Sequence, residues 1–283
     1  MNQIGVMQGR LSPPSEGRIQ AFPKTTWADE FVLAREAGLE LIEWIVEADE
    51  VERNPFLAET DRVAALCLET GVAVRSLCAD YFMDRPLLRC SAAQRDERLG
   101  MLERIIALLP RLGVRHLTIP FVDASAILTE AELSETAAML KPFLPALQRA
   151  GADLALETSL DPRGFRRLLD LLDHPCARVN YDIGNSASLG YAPAEEFAAY
   201  GAQVATVHVK DRLRGGTTVP LGKGDADFPA VFSALARLDY AGPFILQAAR
   251  QIPGEEAAAV KSYAAMIRGW HGAHFAHGPA SSR

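Results

Sequence analysis

Residues 179–186 read VNYDIGNS and place Asp182 directly after an apolar run that is typical of a β-strand. The next residues, Ile183-Gly184-Asn185, predict a glycine-hinged turn. A lone carboxylate is costly to bury, so it must be solvated, paired with a cation or bound to a metal ion. Three further runs of this kind carry Glu157, His208 and Gln247 at or next to their ends. Two carboxylates, an imidazole and an amide oxygen form a mixed ligand set, which suits Mn²⁺, Mg²⁺ or Co²⁺ and also admits Zn²⁺.

Each of these four side chains has a simpler explanation when it is taken alone. A glutamate at a strand end is often half of an ion pair, and a histidine in a strand is often a hydrogen-bonded core residue. Four successive strands that end this way are different, because the ends of neighbouring strands lie ~5 Å apart. The pattern therefore predicts one divalent metal site, and ion pairing among the same groups is the alternative.

The elements that must position these residues alternate regularly along the chain. Strands are predicted at residues 3–7, 39–46, 72–78, 116–119, 153–157, 178–182, 204–209 and 243–247. Helical periodicity indicates helices at residues 26–37, 95–112, 133–150, 164–172, 230–238 and about 255–269. Glycines that are typical of helix C-caps precede several strands, at Gly38, Gly71, Gly113 and Gly151.

Eight strand–helix units without a break in composition predict a single (β/α)₈ TIM barrel over residues 1–270. An open doubly wound sheet is the alternative, but no GxGxxG motif follows the first strand. Residues 271–283 are expected to form a poorly ordered tail. His271, His274 and His277 repeat there at helical spacing and are interpreted as solvated side chains.

Composition excludes several classes of partner for this 283-residue chain. The formal net charge is −7 at pH 7, and an acidic surface repels nucleic acid backbones. No apolar run approaches the ~18 residues that span a bilayer, and the N-terminus does not resemble a signal peptide. The four cysteines form no CxxC pair, which is typical of a reducing compartment. We therefore expect a cytoplasmic protein with neither nucleic acid nor membrane as partner.

Basic side chains follow the first, seventh and eighth strands, at Arg10, Lys210, Arg212 and Arg250. These strands are neighbours in a closed barrel, so the four cations could bind an anionic substrate such as a sugar phosphate. The loop at 215–224 could close over it. The alternative is that Lys210 and Arg212 pair with Asp211 and neighbouring acids. Asp80, after the third strand, either contacts substrate or caps a helix.

The chain resembles the sugar phosphate isomerase/epimerase family with the xylose isomerase-like barrel. The similar segments are GVMQGRLSPP at 5–14, IQAFP at 19–23, IEWI at 42–45, LETS at 156–159, NYDIGNSASLGY at 180–191, HVKDR at 208–212, VPLGKGDADF at 219–228 and ILQAAR at 245–250. The resemblance implies one divalent cation held by Glu157, Asp182, His208 and Gln247. It also implies a homodimer, and a proton transfer through a metal-stabilised enediolate with Glu157 as the base.

Two residues depart from the pattern of that family. Many members have glutamate at the position of Gln247, whose amide oxygen can bind a metal ion but cannot take a proton. Glu43 is therefore a candidate second catalytic group beside Glu157 and Gln247. Asn185 stands where many members have histidine, and it is expected to bind substrate. With six histidines in all, the chain does not fit the nuclease branch of the superfamily.

These observations predict a divalent-metal-dependent isomerase or epimerase of a keto or aldo sugar, either free or phosphorylated. A metal-dependent lyase or dehydratase of a keto-sugar or keto-inositol is one alternative, because it begins with the same proton removal. A non-catalytic sugar-binding barrel is another, and Gln247 in place of an acid favours it. In each case the partner is a small sugar or sugar phosphate.

Overall fold

The computed structural model describes residues 1–18, 20–250 and 253–275, and within them eight parallel strands close into a barrel. The barrel strands are β1 Ile4–Met7, β2 Leu41–Ile45, β3 Ala73–Cys78, β4 His116–Phe121, β5 Asp153–Thr158, β6 Ala177–Asp182, β7 Val204–Val209 and β10 Phe244–Leu246. Two short strands, β8 Asp211–Arg212 and β9 Thr218–Val219, form a separate antiparallel ribbon. The predicted (β/α)₈ barrel is confirmed.

Helices connect the strands on the outside of the barrel. They are α1 Asp29–Glu36, α2 Pro55–Ala58, α3 Thr60–Thr70, α4 Tyr81–Asp84, α5 Ala92–Leu112, α6 Glu130–Leu140, α7 Leu144–Ala150, α8 Pro162–Leu172, α9 Ile183–Leu189, α10 Pro193–Tyr200, α11 Phe228–Arg237 and α12 Glu256–Phe275. Three of the predicted C-cap glycines, Gly71, Gly113 and Gly151, end helices in the left-handed conformation. Among the described helices, none combines the length and apolarity that crossing a membrane requires.

The closure of the barrel brings the four predicted ligand-bearing strands together. β1 pairs with both β2 and β10, and β10 pairs with β7. The order around the barrel places β5, β6, β7 and β10 side by side. Because all eight strands are parallel, their carboxyl ends meet at one end of the barrel.

Buried polar side chains occupy six neighbouring barrel strands. They are Glu43 on β2, Ser76 on β3, Thr118 on β4, Glu157 on β5, Asn180 on β6 and His208 on β7. Buried polar groups need partners, because an unpaired one costs free energy. This band of polar residues marks the part of the barrel where a site can form.

The β4 strand extends two residues beyond its predicted end. Pro120 and Phe121 pair in register with Glu157 and Thr158 of β5. Proline lacks an N–H group and usually ends a central strand. Here the pairing with β5 outweighs that local signal.

The segment after β6 differs from the glycine-hinged turn that the sequence predicted. It forms α9, and the Asp182 carboxylate caps this helix by accepting the N–H of Asn185 at 2.8 Å. The predicted turn is therefore wrong, because the Asp182 side chain caps a helix that begins at Ile183. Gly184 has another reason for being small, since an added Cβ would lie 2.9 Å from Cγ of Lys210.

The last helix continues to Phe275, beyond the predicted end at residue 269. The rings of His271 and Phe275 stack with centroids 4.2 Å apart, and Nε2 of His271 lies 2.9 Å from Oδ1 of Asn2. The ring stack lies within the helix, and the contact with Asn2 joins its extra turn to the segment before β1. His271 and His274 thus lie in a helix, while His277 lies outside the described residues.

Candidate active site

Three of the predicted metal ligands converge at the carboxyl ends of adjacent strands. Glu157, Asp182 and His208 each offer one ligand atom, and these atoms lie within 4.8 Å of one another. Nδ1 of His208 is 3.4 Å from Oε2 of Glu157 and 3.9 Å from Oδ2 of Asp182. All three side chains are buried.

Gln247, the fourth predicted ligand, takes part in a different set of contacts. Its amide oxygen accepts a hydrogen bond from Nζ of Lys210 at 2.9 Å, and its amide nitrogen donates to Gln20 at 2.7 Å. The Lys210 ammonium also lies 2.7 Å from Oδ2 of Asp182. Lys210 therefore bridges Asp182 and Gln247, so ion pairing, the alternative to metal binding, is present at Asp182.

Glu43 contacts the imidazole from its other nitrogen. Its carboxylate is fully buried, lies 2.8 Å from Nε2 of His208 and accepts a hydrogen bond from Ser76. Glu157 and Asp182, by contrast, lie on the Nδ1 side of the ring. The contacts of Glu43 therefore orient His208 and leave Nδ1 directed at the two other carboxylates.

The charges of the cluster are set by its mutual contacts. Burial opposes the charged imidazole, but the carboxylates of Glu43 and Glu157 outweigh burial and raise the pKa of His208 to about 10. Burial also opposes the charged form of Glu157, yet His208 and Lys210 lower the pKa of that carboxyl below its usual range. Glu157 is therefore ionised at neutral pH.

The donor set fits a divalent cation. Two carboxylate oxygens and one imidazole nitrogen, all within 4.8 Å, are ligands that Mn²⁺, Mg²⁺, Co²⁺ and Zn²⁺ accept. A metal ion held by His208 would require the neutral imidazole, so it would compete with protonation of the ring. Glu43 at Nε2 is the kind of partner that fixes the tautomer of a metal-bound histidine.

A cavity of about 400 Å³ opens beside Glu157, whereas Asp182 and His208 are not among its described lining residues. Its lining includes five of the predicted site residues: Glu157, Asn185, Lys210, Arg212 and Gln247. It also includes side chains that carry no catalytic signal in the sequence, namely Arg18, Gln20 and Glu47. These lie in irregular loops after β1 and β2, where no strand periodicity marks a residue as facing the site.

Asn185 connects the candidate base with a cation. Its Nδ2 donates to Oε1 of Glu157 at 2.6 Å, and its Oδ1 accepts from Nη1 of Arg212 at 2.8 Å. Asn180 donates to the other oxygen of Glu157 at 2.8 Å. Both carboxylate oxygens of Glu157 thus receive an amide N–H, which fixes the orientation of this side chain.

Arg10 and Arg250 have structural contacts in the loop after β1. Arg250 donates to the backbone carbonyls of Gly9 and Ser12, and Arg10 donates to Gln20 at 3.2 Å. Neither Arg10 nor Arg250 is among the described residues that line the cavity. Their role in substrate binding stays a prediction.

Asp211 organises the loop after the β8–β9 ribbon. Its buried carboxylate accepts the N–H groups of Gly222 and Gly224 at 2.8 Å and that of Ala226 at 3.2 Å. The alternative interpretation paired the Asp211 carboxylate with Lys210 and Arg212. In the structure this carboxylate binds backbone N–H groups. The ribbon places Thr217 and Thr218 at the cavity.

Known proteins share both the sequence pattern and the fold. The chain matches the xylose isomerase-like TIM barrel family over residues 31–268. It is 28% identical, over 238 residues, to a protein named L-ribulose-5-phosphate 3-epimerase UlaE of Shigella flexneri serotype 5b (strain 8401), covering 78% of this chain and 81% of that one.

Two solved structures show the same architecture. One is an L-ribulose 3-epimerase, with a TM-score of 0.80 and 17% identity over 100% of this chain and 99% of that one. The other is the IOLI protein with a bound zinc atom, with a TM-score of 0.77 and 13% identity over 96% and 99% of the two chains. The chain therefore belongs to the xylose isomerase-like TIM barrel family.

Proposed function

We propose that this protein is a sugar isomerase or epimerase that moves a proton on the carbon next to a carbonyl group. The observation that carries the proposal is the convergence of Glu157, Asp182 and His208, of which Glu157 lines a cavity of about 400 Å³. Such a cavity is large enough for a small sugar. The similarity to a protein named as an L-ribulose-5-phosphate 3-epimerase supports the same class of reaction.

Glu157 has the properties of the base. It lines the cavity, its pKa is lowered, and hydrogen bonds from Asn180 and Asn185 fix both of its oxygens. An ionised and oriented carboxylate can remove a proton from a carbon held beside it. The negative charge then develops on the substrate oxygen, and groups that bind this oxygen determine the rate.

Glu157, Asp182 and His208 would hold a divalent ion, with the Gln247 amide oxygen as a further ligand. When bound, the ion supplies a Lewis acid that stabilises negative charge on the substrate oxygen. Glu43 keeps His208 in the orientation that this binding requires. Mn²⁺, Mg²⁺, Co²⁺ and Zn²⁺ are all compatible with the three donors.

The cations of the cavity favour a free sugar over its phosphate. Arg18 lies 3.1 Å from Glu47, Lys210 pairs with Asp182, and Arg212 donates to Asn185 and to the carbonyl of Gly216. A phosphate would have to compete with these partners. The lining also contains more acids than bases: the acids are Glu47, Asp80, Asp84, Asp123 and Glu157, and the bases are Arg18, Lys210 and Arg212.

The test uses metal-free protein and two probes, L-ribulose and L-ribulose 5-phosphate, in D₂O with added Mn²⁺. We expect deuterium to enter the carbon next to the carbonyl, and kcat/KM to be higher for L-ribulose. The Glu157→Gln variant should lose about 10²–10⁴-fold in rate, whereas Glu69→Gln, an exposed glutamate on α3, should match wild type. Full activity in Glu157→Gln or after complete metal removal would contradict the proposal.

A non-catalytic sugar-binding barrel is the second candidate, and one observation favours it. The Lys210 ammonium compensates Asp182 and satisfies Gln247, so this part of the site is charge-paired without a metal ion. Binding of L-ribulose measured by calorimetry, with no deuterium exchange at saturating Mn²⁺, would establish this candidate. A product that has lost water would instead indicate the dehydratase.

A further inference from the structure

We propose that Asp80 is the second acid–base residue of the site and protonates the substrate carbon on the face opposite Glu157. This inference rests on the proposed epimerase function and identifies the group that completes it. Inversion at a carbon requires removal of a proton on one face and delivery on the other. An amide cannot deliver this proton, so Gln247 does not supply it.

Asp80 and Glu157 both line the cavity, but they come from the carboxyl ends of different barrel strands. It follows β3, whereas Glu157 lies on β5, and β4 separates the two strands. Both side chains line the cavity, and Asp80 is only 7% exposed. The two carboxyl groups can therefore act on one bound molecule from separate sides.

The side chain of Asp80 is not used as a helix cap. The residue immediately precedes α4, yet its carboxylate accepts no N–H group of that helix, which is described throughout. It accepts instead from Nε2 of Gln20 at 2.5 Å and from Sγ of Cys78 at 3.1 Å. These two contacts orient the carboxyl group, which is a requirement for a catalytic acid.

Gln20 also connects Asp80 with Gln247. Its Oε1 accepts from Nε2 of Gln247 at 2.7 Å, while its Nε2 donates to Asp80. The side chain of Gln20 therefore bridges the carboxyl group of Asp80 and the amide group of Gln247. These hydrogen bonds connect the segment after β10 with the segment after β3 along the lining of the cavity.

The other acids are less suited to this role. Glu47 lies 3.1 Å from Arg18 and accepts the N–H of Phe22 at 2.6 Å, and Asp84 and Asp123 are exposed. Glu43 is buried behind His208 and is not among the described residues that line the cavity.

Burial suits the carboxyl group of Asp80 to the role of an acid. It raises the pKa of Asp80 to about 6, against the hydrogen bonds from Gln20 and Cys78. The protonated form, which can give up a proton, is therefore more populated near neutral pH than it is for an exposed aspartate.

The step balances in protons and electrons. The Glu157 carboxylate takes the proton, the C–H electron pair forms the carbon–carbon double bond, and the carbonyl pair moves to oxygen. Protonated Asp80 then gives its proton to the same carbon from the other face, and the carbonyl re-forms. Glu157 ends protonated and Asp80 ionised, and proton exchange with water restores both.

The decisive variant is Asp80→Asn, measured with Mn²⁺ in D₂O on whichever of L-ribulose and L-ribulose 5-phosphate wild type epimerises. NMR follows two rates: deuterium entry into unreacted sugar and appearance of the epimer. We expect epimer formation to fall about 100-fold or more, while deuterium entry stays within about tenfold of wild type. Asp96→Asn, an exposed aspartate on α5, is the control for both rates.

Two results would overturn the inference: an Asp80→Asn variant that epimerises at nearly the wild-type rate, or one that loses both rates equally. Asp80→Ser, which removes the carboxyl group without adding bulk, replaces the asparagine variant if that one does not fold. Wild type provides an independent measurement, because its first-turnover product in D₂O must carry deuterium. A product that keeps the substrate hydrogen would show a one-base mechanism. A wild type inactive on both sugars would overturn the proposed function as well.

Discussion

The Nζ atom of Lys210 lies 2.7 Å from Oδ2 of Asp182, which is one of the three converging metal-ligand candidates. A divalent ion bound by these ligands would compete with the ammonium for this carboxylate. A buried pair of opposite charges at this distance is strongly coupled, even at the effective dielectric constant of a protein. We therefore expect the metal affinity of the proposed site to depend on a residue that is not itself a ligand.

Lys210→Met should consequently raise the affinity for Mn²⁺ by about tenfold, an energy of about 1.4 kcal/mol. Titration calorimetry on metal-free protein measures the change directly. Lys261→Met, an exposed lysine on α12, is the matched control and should bind as wild type does. An unchanged or weaker affinity in Lys210→Met would show that the ammonium does not compete with the ion.

Glu43→Gln should weaken metal binding about 10–100-fold, because Nε2 of His208 loses its carboxylate partner. The measurement is metal content by elemental analysis after dialysis against a range of Mn²⁺ concentrations. Glu69→Gln again serves as control. Wild-type metal content in Glu43→Gln at every Mn²⁺ concentration would remove the proposed positioning role.

Gly184→Ala should lower the free energy of unfolding by about 1–3 kcal/mol, because the added methyl group crowds the side chain and backbone of Lys210. The control is Gly100→Ala within α5, where no described atom outside the local helix lies within 4 Å of an added Cβ. That variant should gain about 0.5–1 kcal/mol. Urea denaturation of both variants tests the pair, and equal effects would argue against a close contact at Gly184.

The loop after β1 should make stability depend on pH through Glu30. This buried carboxylate accepts the N–H groups of Gly9 and Leu11 and the hydroxyl of Ser12. Burial outweighs these hydrogen bonds and raises its pKa from 4.5 to about 7. Between these two values the folded state binds more protons than the unfolded state, so the free energy of unfolding falls as pH rises.

Urea denaturation between pH 4.5 and 8 tests this dependence. In the Glu30→Gln variant the contribution of this group is absent, so the decline across that range should be smaller than in wild type. The absolute stability of the variant will differ as well, which makes the slope with pH the informative quantity. Identical slopes would mean that Glu30 stays ionised in the folded protein.

The barrel and its principal acids could be predicted because strand ends carry a local signal. The β7 strand, Val204–Val209, has the predicted bounds, and β6 ends on Asp182 as predicted. Helix α9 was missed because its N-terminal sequence, Ile183-Gly184-Asn185, has the composition of a turn. Its capping bond becomes visible only when Asp182 is placed in three dimensions.

The remainder of the site depends on contacts between residues that are distant in sequence. Gln20 meets Asp80 across 60 residues and Gln247 across 227 residues. Lys210 was expected at a cationic rim, but it bridges two candidate ligands because α9 and the end of β10 approach it from either side. The homodimer stays a prediction, which sedimentation equilibrium would check.

The attachment of the β8–β9 ribbon has a consequence for engineering. Asp211 fixes the chain on both sides of the ribbon, since it begins β8 and binds backbone groups at 222, 224 and 226. The tip at 213–217 contacts the cavity through Thr217 without belonging to the barrel. Directed evolution of substrate range could therefore vary this tip as a cassette, with residue 211 held constant, while the scaffold beneath it keeps its fold.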